Sequence, residues 1–126
     1  MGVESVTGRE SLLEQPNRRY TLYCLHIHPT PMKLADVADQ LTIWHGAGHS
    51  EDFLEERLLV YNALYHDHLP PLRDSGLVSY NQELDTVAPG PVLPLITGAV
   101  GRRLLQDYTE LVQAEKRACN GETDPD

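Results

Sequence analysis

The spacing of apolar residues changes once along this chain, at Gly76, and that change constrains the fold more than any other feature of the sequence. Before Gly76, apolar residues recur every three or four positions, as on helices with one buried face. After it, the period falls to about two, which is typical of strands. Since 126 residues suffice for one core and an appended element but hardly for two stable domains, the sequence predicts one mainly α domain with a small β-hairpin.

Two helices are predicted in the first half of the chain. Apolar residues on roughly one stripe place the first helix at about residues 16 to 26, with Pro16 in its first turn. The second helix covers residues 33 to 44, where apolar side chains repeat at steps of three and four. Prolines follow the first helix and glycines follow the second, and both residue types end helices.

A longer third helix follows, and Ser50 is the residue expected to cap its start. Because Pro70 and Pro71 each remove an amide donor, this helix must kink or restart, and we expect the break near His68. One buried face is predicted for its apolar residues Leu54, Leu58, Tyr61, Tyr65, Leu69 and Leu72.

A hairpin completes the pattern, with strands at residues 77–80 and 85–88 and a tight turn between them. Three helices followed by a hairpin is the order of a winged helix-turn-helix domain. The predicted organisation is a disordered N-terminus (1–10), the winged-helix domain (11–88), a linker (89–94), a C-terminal amphipathic helix (95–118) and a disordered acidic tail (119–126).

The C-terminal helix is expected to form a homodimer, in which its apolar side pairs with the same side of a second copy. Arg102 and Arg103 in its middle exclude a membrane span. The alternative is that the helix folds back onto its own domain. The residues assigned to the dimer contact are Val100, Leu104, Tyr108, Leu111 and Val112.

Charge is the most informative bulk property. The chain has 19 acidic and 10 basic residues, a net charge of −9, and only Lys33 and Lys116 are lysines. An acid-rich, lysine-poor surface is typical of proteins that work in concentrated salt, where carboxylates stay hydrated and their repulsion is screened. An ordinary acidic protein from an organism without high internal salt is the alternative.

The sequence also excludes several classes of protein. It has no run of about 18 uncharged apolar residues, and its opening residues do not resemble a secretory signal, so we expect a cytoplasmic protein without membrane contact. Cys24 and Cys119 lie far apart and offer neither a disulfide framework nor a zinc motif. No hydrolase, nucleotide-binding or metalloprotease motif is present, so no enzyme activity and no cofactor are predicted.

Histidine raises the question of a metal site, because the six histidines form three close pairs. The expected local structure does not bring the members of any pair together as ligands, and no metal site is predicted. The pairs are His26 with His28, His45 with His49, and His66 with His68.

Residues 64–80, LYHDHLPPLRDSGLVSY, resemble the end of the recognition helix and the first wing strand of winged-helix repressors, with a cadence similar to that of ArsR-like proteins. Three blocks in order resemble a largely uncharacterised haloarchaeal winged helix-turn-helix family over roughly residues 11–88. The blocks are RRY with LY at 18–23, LADVADQ at 34–40, and VY followed by the recognition segment at 60–78.

This resemblance implies a winged helix and a DNA-binding role. Asp67 and Pro71 depart from the family pattern, which has threonine and lysine at these positions, so one base is lost and one acid is gained. Phosphate contact at this point of the helix is therefore in doubt.

If the third helix enters the major groove of double-stranded DNA, its outward polar side chains read base edges. Asn62 and His66 are the candidate base readers, because they lie on the side of the helix opposite to its inward residues. The residues expected to face inward are Tyr61, Tyr65, Leu69 and Leu72. Arginines are the candidate phosphate contacts. The residues assigned to the interface are Asn62, His66, Arg57, Arg73, Arg18 and Arg19.

The charge of the domain opposes simple DNA binding, because residues 16–88 contain five bases and ten acids and phosphate affinity normally comes from clustered bases. Two functions therefore remain open. The first is a sequence-specific DNA-binding transcriptional regulator adapted to high salt. The second is a protein–protein interaction module that uses the same scaffold without reading bases.

Overall fold

The computed structural model describes residues 11–48 and 51–123. The segment 1–10, predicted to be disordered, lies outside the described residues, and so do Ser50, the predicted helix cap, and residues 124–126.

The described part of the chain forms five α-helices and three short strands. The helices are α1 (Pro16–Ile27), α2 (Leu34–Thr42), α3 (Phe53–Ala63), α4 (Leu69–Asp74) and α5 (Thr97–Thr123). The strands are β1 (Met32–Lys33), β2 (Val78–Asn81) and β3 (Thr86–Pro89). Wider π turns continue α2 at Ile43–Ala47 and α3 at Leu64–His68, and 3₁₀ turns lie at Ser11–Glu14 and Leu93–Ile96.

The predicted mainly α fold with a β wing and a C-terminal helix is confirmed. β2 and β3 form the antiparallel hairpin, in register from Val78 opposite Pro89 to Asn81 opposite Thr86. β1 was not predicted: it pairs with the other edge of β3, so the sheet order is β1-β3-β2. Helices α2 and α3 pack against each other. Together with the hairpin they form a helix-turn-helix with a wing.

Two of the predicted helix ends coincide with glycines in the left-handed region of backbone space. Gly46 has a φ of 94° where the turn after α2 ends, and Gly76 has a φ of 80° after α4. The amide of Gly76 donates to the carbonyl of Arg73 as the chain leaves the helix and enters β2. Only glycine adopts such a conformation without steric cost.

The third predicted helix breaks where the prolines require it, because the π turn ends at His68 and α4 begins at Leu69 with a proline in its first turn. Its predicted buried face is wrong in the first half. Leu54 and Leu58 are 71% and 58% exposed, and no residue of α3 is buried. Val60 and Tyr61 of α3 are partly buried against the core, and full burial begins only at Leu64.

The C-terminal helix folds back onto its own domain, against α1 and the π turn after α2. Val100 and Leu111, two residues assigned to a dimer contact, are 0% and 4% exposed within the core and are therefore not available to a partner. Leu104 and Val112 are half-buried, and Tyr108 is exposed.

The boundaries at the end of the chain also differ from the prediction. The proposed linker at residues 89–94 contains the end of β3 and the start of a 3₁₀ turn, and α5 continues through residues 119–123, where a disordered tail was predicted. No helix among the described residues is long and apolar enough to cross a membrane.

Candidate nucleic-acid interface

Asp85, at the turn of the wing, joins the wing to α3. Its carboxylate accepts hydrogen bonds from the hydroxyl groups of Tyr61 on α3 and Tyr80 on β2, each at 2.5 Å. Its carbonyl oxygen accepts from the amide of Leu34 at the start of α2, at 2.9 Å. The hydrogen bond to Asp85 raises the pKa of Tyr61 to about 12. Asp85 therefore holds the wing, α2 and α3 in one fixed arrangement.

Asp85→Ala is expected to lower the free energy of unfolding by about 2 kcal/mol, because it removes two hydrogen bonds to a charged acceptor and leaves alanine at a φ of 54°. Asp85→Asn should cost less, since asparagine tolerates this backbone region and keeps one carbonyl acceptor. Urea unfolding measures both, with Glu83→Ala, an exposed acid on the same hairpin, as the control. Equal losses for Asp85→Ala and Glu83→Ala would contradict this role.

Asn62 and His66, the candidate base readers, are both exposed and stand four positions apart on α3 and its π turn, a spacing that places them on one side of a helix. The ring of His66 packs edge-on against Tyr65, with centroids 5.0 Å apart. Tyr65 was expected to face inward, but it is 37% exposed and lies beside Tyr80 of the wing. An aromatic surface therefore connects the helix to the wing beside the polar pair.

Arg73, a candidate phosphate contact, lies on this same surface. Its guanidinium carbon is 5.7 Å from the ring centroid of Tyr80, a cation–π contact. The side chain is exposed and forms no ion pair within the described residues. Tyr80 therefore orients an exposed positive charge at the aromatic surface that connects the wing to the helix.

Two other candidate arginines already have partners. Nη1 of Arg57 is 3.2 Å from the carboxylate of Asp39 on α2. Nε of Arg18 donates to Nδ1 of His68 at 3.2 Å. Burial and the charge of Arg18 lower the pKa of His68, so its ring stays neutral and accepts this bond. Both arginines would have to give up these contacts to hold phosphate.

Arg19 is buried, so it is not available as a phosphate contact. It is 9% exposed, its Nε pairs with Asp107 of α5 at 2.9 Å, and its Nη1 donates to the carbonyl of Leu13 at 2.9 Å. Burial opposes its charge, but Asp107 together with Tyr23 and Tyr20 offsets this, and the pKa of Arg19 is raised. Tyr23, four positions further along α1, donates to the same carboxylate at 2.7 Å. Arg19 therefore fastens α1 to α5.

The first half of α3 has a different character from the second half. Leu54, Leu58 and Leu59 lie on its surface, each more than half exposed. Acids surround them, and the acids of this segment are Glu51, Asp52, Glu55 and Glu56. The first half of the helix is thus apolar and acidic, whereas the second half carries Asn62 and His66.

Among the described residues, no three histidine, cysteine or carboxylate side chains come close enough to hold a metal ion. His49, one member of the predicted pairs, lies outside the described residues.

The fold and this surface define a helix-turn-helix domain with a wing, in which the second half of α3 and the wing share one exposed face. The chain belongs to the family described as Domain of unknown function (DUF7344), whose model matches residues 10–88. The match covers the helix-turn-helix and the wing and ends before α5. Comparison with curated proteins and with solved structures gave no significant match.

Proposed function

We propose that this domain is a sequence-specific DNA-binding transcriptional regulator that works in high salt. The observation that carries the proposal is the exposed pair Asn62 and His66, which the rings of Tyr65 and Tyr80 connect to the guanidinium of Arg73. Asparagine can pair with adenine through two hydrogen bonds, and histidine can donate to guanine. Arginine next to them supplies the phosphate contact that positions a helix in the groove.

The wing supports this proposal because its position relative to the helix is fixed. The bonds of Asp85 to Tyr61 and Tyr80 hold the hairpin against the recognition helix. In a winged helix, the recognition helix reads the major groove while neighbouring elements contact the backbone. A rigid wing beside Arg73 lets both elements approach the duplex together, with little reorganisation on binding.

High salt reconciles DNA binding with a net charge of −9. The Debye length is about 3 Å at 1 M salt, so repulsion between the acidic surface and phosphate is screened almost completely. The favourable release of counterions is also small under these conditions. Direct contacts to bases then decide affinity, and the acid-rich, lysine-poor composition of the chain favours the same environment.

The experiment is selection of duplexes from random DNA in molar potassium chloride, with wild type, Asn62→Ala and Arg73→Ala in parallel. Wild type is expected to enrich a motif. Asn62→Ala should relax that motif at one base pair, at a cost of about 1–3 kcal/mol. Arg73→Ala should weaken binding to all sequences alike, because a phosphate contact carries no base information.

Gln113→Ala is the matched control, since it removes an exposed amide from α5, away from the proposed interface. It should retain the motif and the affinity of wild type. A wild-type protein that enriches no motif would contradict the proposal, and so would an Asn62→Ala protein that enriches the same motif equally well.

A second candidate function, docking of a protein partner, is favoured by the exposed leucines of α3. Monomeric proteins rarely leave a contiguous apolar patch in solvent without use, and Leu54, Leu58 and Leu59 follow one another on the same helix. The acids around them favour a partner with an apolar, basic surface. If the folded protein selects no DNA motif, this apolar half of α3 becomes the functional surface.

A further inference from the structure

A cleft of about 710 Å³ lies between α1, α2 and α5, away from the proposed DNA interface. Clefts of roughly 300–1,000 Å³ are the size that holds small organic ligands. Four residues assigned to a dimer contact line this cleft, and they are Leu104, Tyr108, Leu111 and Val112.

The cleft is apolar and aromatic along its walls. Trp44 lies on one side, at the π turn after α2, and the exposed ring of Tyr108 lies on α5. Ile27 of α1, Ile43 of the π turn and Leu104 of α5 add aliphatic surface. Such a lining favours a ligand with a large apolar body, and the two aromatic side chains can also face a cation.

The charged groups of the cleft all have the same sign. Asp36, Asp39 and Glu115 line it, and no lysine or arginine is among the described residues that do. Asp39 forms an ion pair with Arg57. Glu115 accepts from Nε1 of Trp44 at 2.7 Å and from the amide of Gln40 at 3.3 Å, both at Oε2. Its other oxygen, Oε1, keeps its acceptor capacity.

We propose that this cleft binds a small hydrophobic organic cation. The apolar walls supply the binding energy by burying the body of the ligand. The carboxylates select its charge, and Asp39 contributes most because it is half-buried whereas Asp36 and Glu115 are exposed, and attraction inside a cleft is screened less than attraction on an open surface. An anion of the same size would face three carboxylates, with the imidazole of His28 as the one basic side chain among the described residues that line the cleft.

The position of the cleft links it to the helix-turn-helix. Asp39 lines the cleft and also pairs with Arg57 of α3, so a bound cation competes with Arg57 for the same carboxylate. The site does not depend on DNA binding, and its test uses no DNA.

Tetraphenylphosphonium and tetraphenylborate are suitable probes, because they have nearly the same shape and opposite charges. Trp44, the single tryptophan of the chain, lines the cleft and reports occupancy by its fluorescence. Titrations in sodium chloride at about 0.1 M keep the borate in solution and leave attraction over the width of the cleft largely unscreened, because the Debye length is then about 10 Å. The phosphonium is expected to change Trp44 fluorescence to saturation at one equivalent, and the borate is expected not to.

Glu115→Gln and Asp36→Asn should each weaken phosphonium binding, by about tenfold for Glu115→Gln because its charge lies nearest Trp44. Glu110→Gln removes an exposed acid from the same helix outside the cleft and should bind as wild type does. Glu115 also accepts a hydrogen bond from Trp44, so Glu115→Gln could alter the packing of α5. Asp36→Asn removes a carboxylate of the cleft without changing that hydrogen bond.

Three outcomes would overturn the proposal. Equal binding of phosphonium and borate would leave an apolar cleft without charge selection. No fluorescence change with either probe would exclude the site. Light scattering that shows a dimer, together with phosphonium binding only after the dimer dissociates, would assign the cleft to a second copy of the chain.

Discussion

A chain that ends at Gly90, before α5, is expected to lose its cooperative unfolding transition. The missing segment contributes to the core four aliphatic side chains that are more than nine-tenths buried, namely Leu93, Ile96, Val100 and Leu111. Burial of one such side chain stabilises a fold by about 1.5–3 kcal/mol, so the four together supply roughly 6–12 kcal/mol. The whole stability of a small domain is about 5–15 kcal/mol. Their loss therefore removes most or all of the free energy of unfolding of the domain.

Circular dichroism during heating in molar potassium chloride measures this effect. The control is a chain that ends at Cys119, which keeps all four of these side chains and should keep the wild-type transition. A sharp transition in the chain that ends at Gly90 would contradict the prediction, and would show that the segment matched by the family, residues 10–88, folds without α5.

Elements with a long, regular apolar period could be predicted from the sequence almost to the residue. The first helix was expected at residues 16 to 26 and ends at Ile27. The hairpin was expected at 77–80 and 85–88 and is displaced by one residue in each strand. Local spacing and turn residues determine such elements, so no knowledge of the rest of the fold is needed.

Elements that exist only through distant pairing could not be predicted. β1 has two residues, and it is a strand only because Met32 and Lys33 lie opposite β3, more than fifty positions along the chain. The role of Asp85 has the same origin, since Tyr61 is 24 positions away. The sequence placed Asp85 at the start of the second strand rather than in the turn, so neither its unusual backbone nor its partners were predicted.

The sequence of α3 contains a local indication that some of its leucines are exposed. Leu58 and Leu59 are adjacent, and neighbouring helical residues point about 100° apart. One narrow buried stripe cannot contain both. The single buried face predicted for this helix therefore required at least one leucine in solvent, and the structure has Leu54, Leu58 and Leu59 all exposed.

The adjacent arginines at the start of α1 also point in different directions, because they are neighbours on a helix. Arg18 and Arg19 were both assigned to phosphate, although neighbours on a helix cannot share one outer face. Tyr23, four positions after Arg19, is fully buried, which indicates that Arg19 lies on the inner side. Its partner Asp107 is 88 positions away and lies beyond any local pattern.

Asp107→Ala is expected to lower the free energy of unfolding by about 3 kcal/mol, because it leaves the charge of Arg19 buried without a counter-ion. The side chains of the pair are 11% and 22% exposed, so solvent relieves part of the cost and the lower end of the range for buried pairs applies. The hydroxyl of Tyr23 loses its acceptor in the same variant. The bond from Arg19 to the carbonyl of Leu13 does not involve Asp107 and should remain.

Urea unfolding of Asp107→Ala, Arg19→Met and the double variant measures the coupling between the two residues. The double variant should be more stable than Asp107→Ala alone, because no charge is then left without a partner. Glu110→Ala, an exposed acid one turn further along α5, should change stability by less than about 0.5 kcal/mol. If Asp107→Ala costs no more than Glu110→Ala, Arg19 is not held by Asp107.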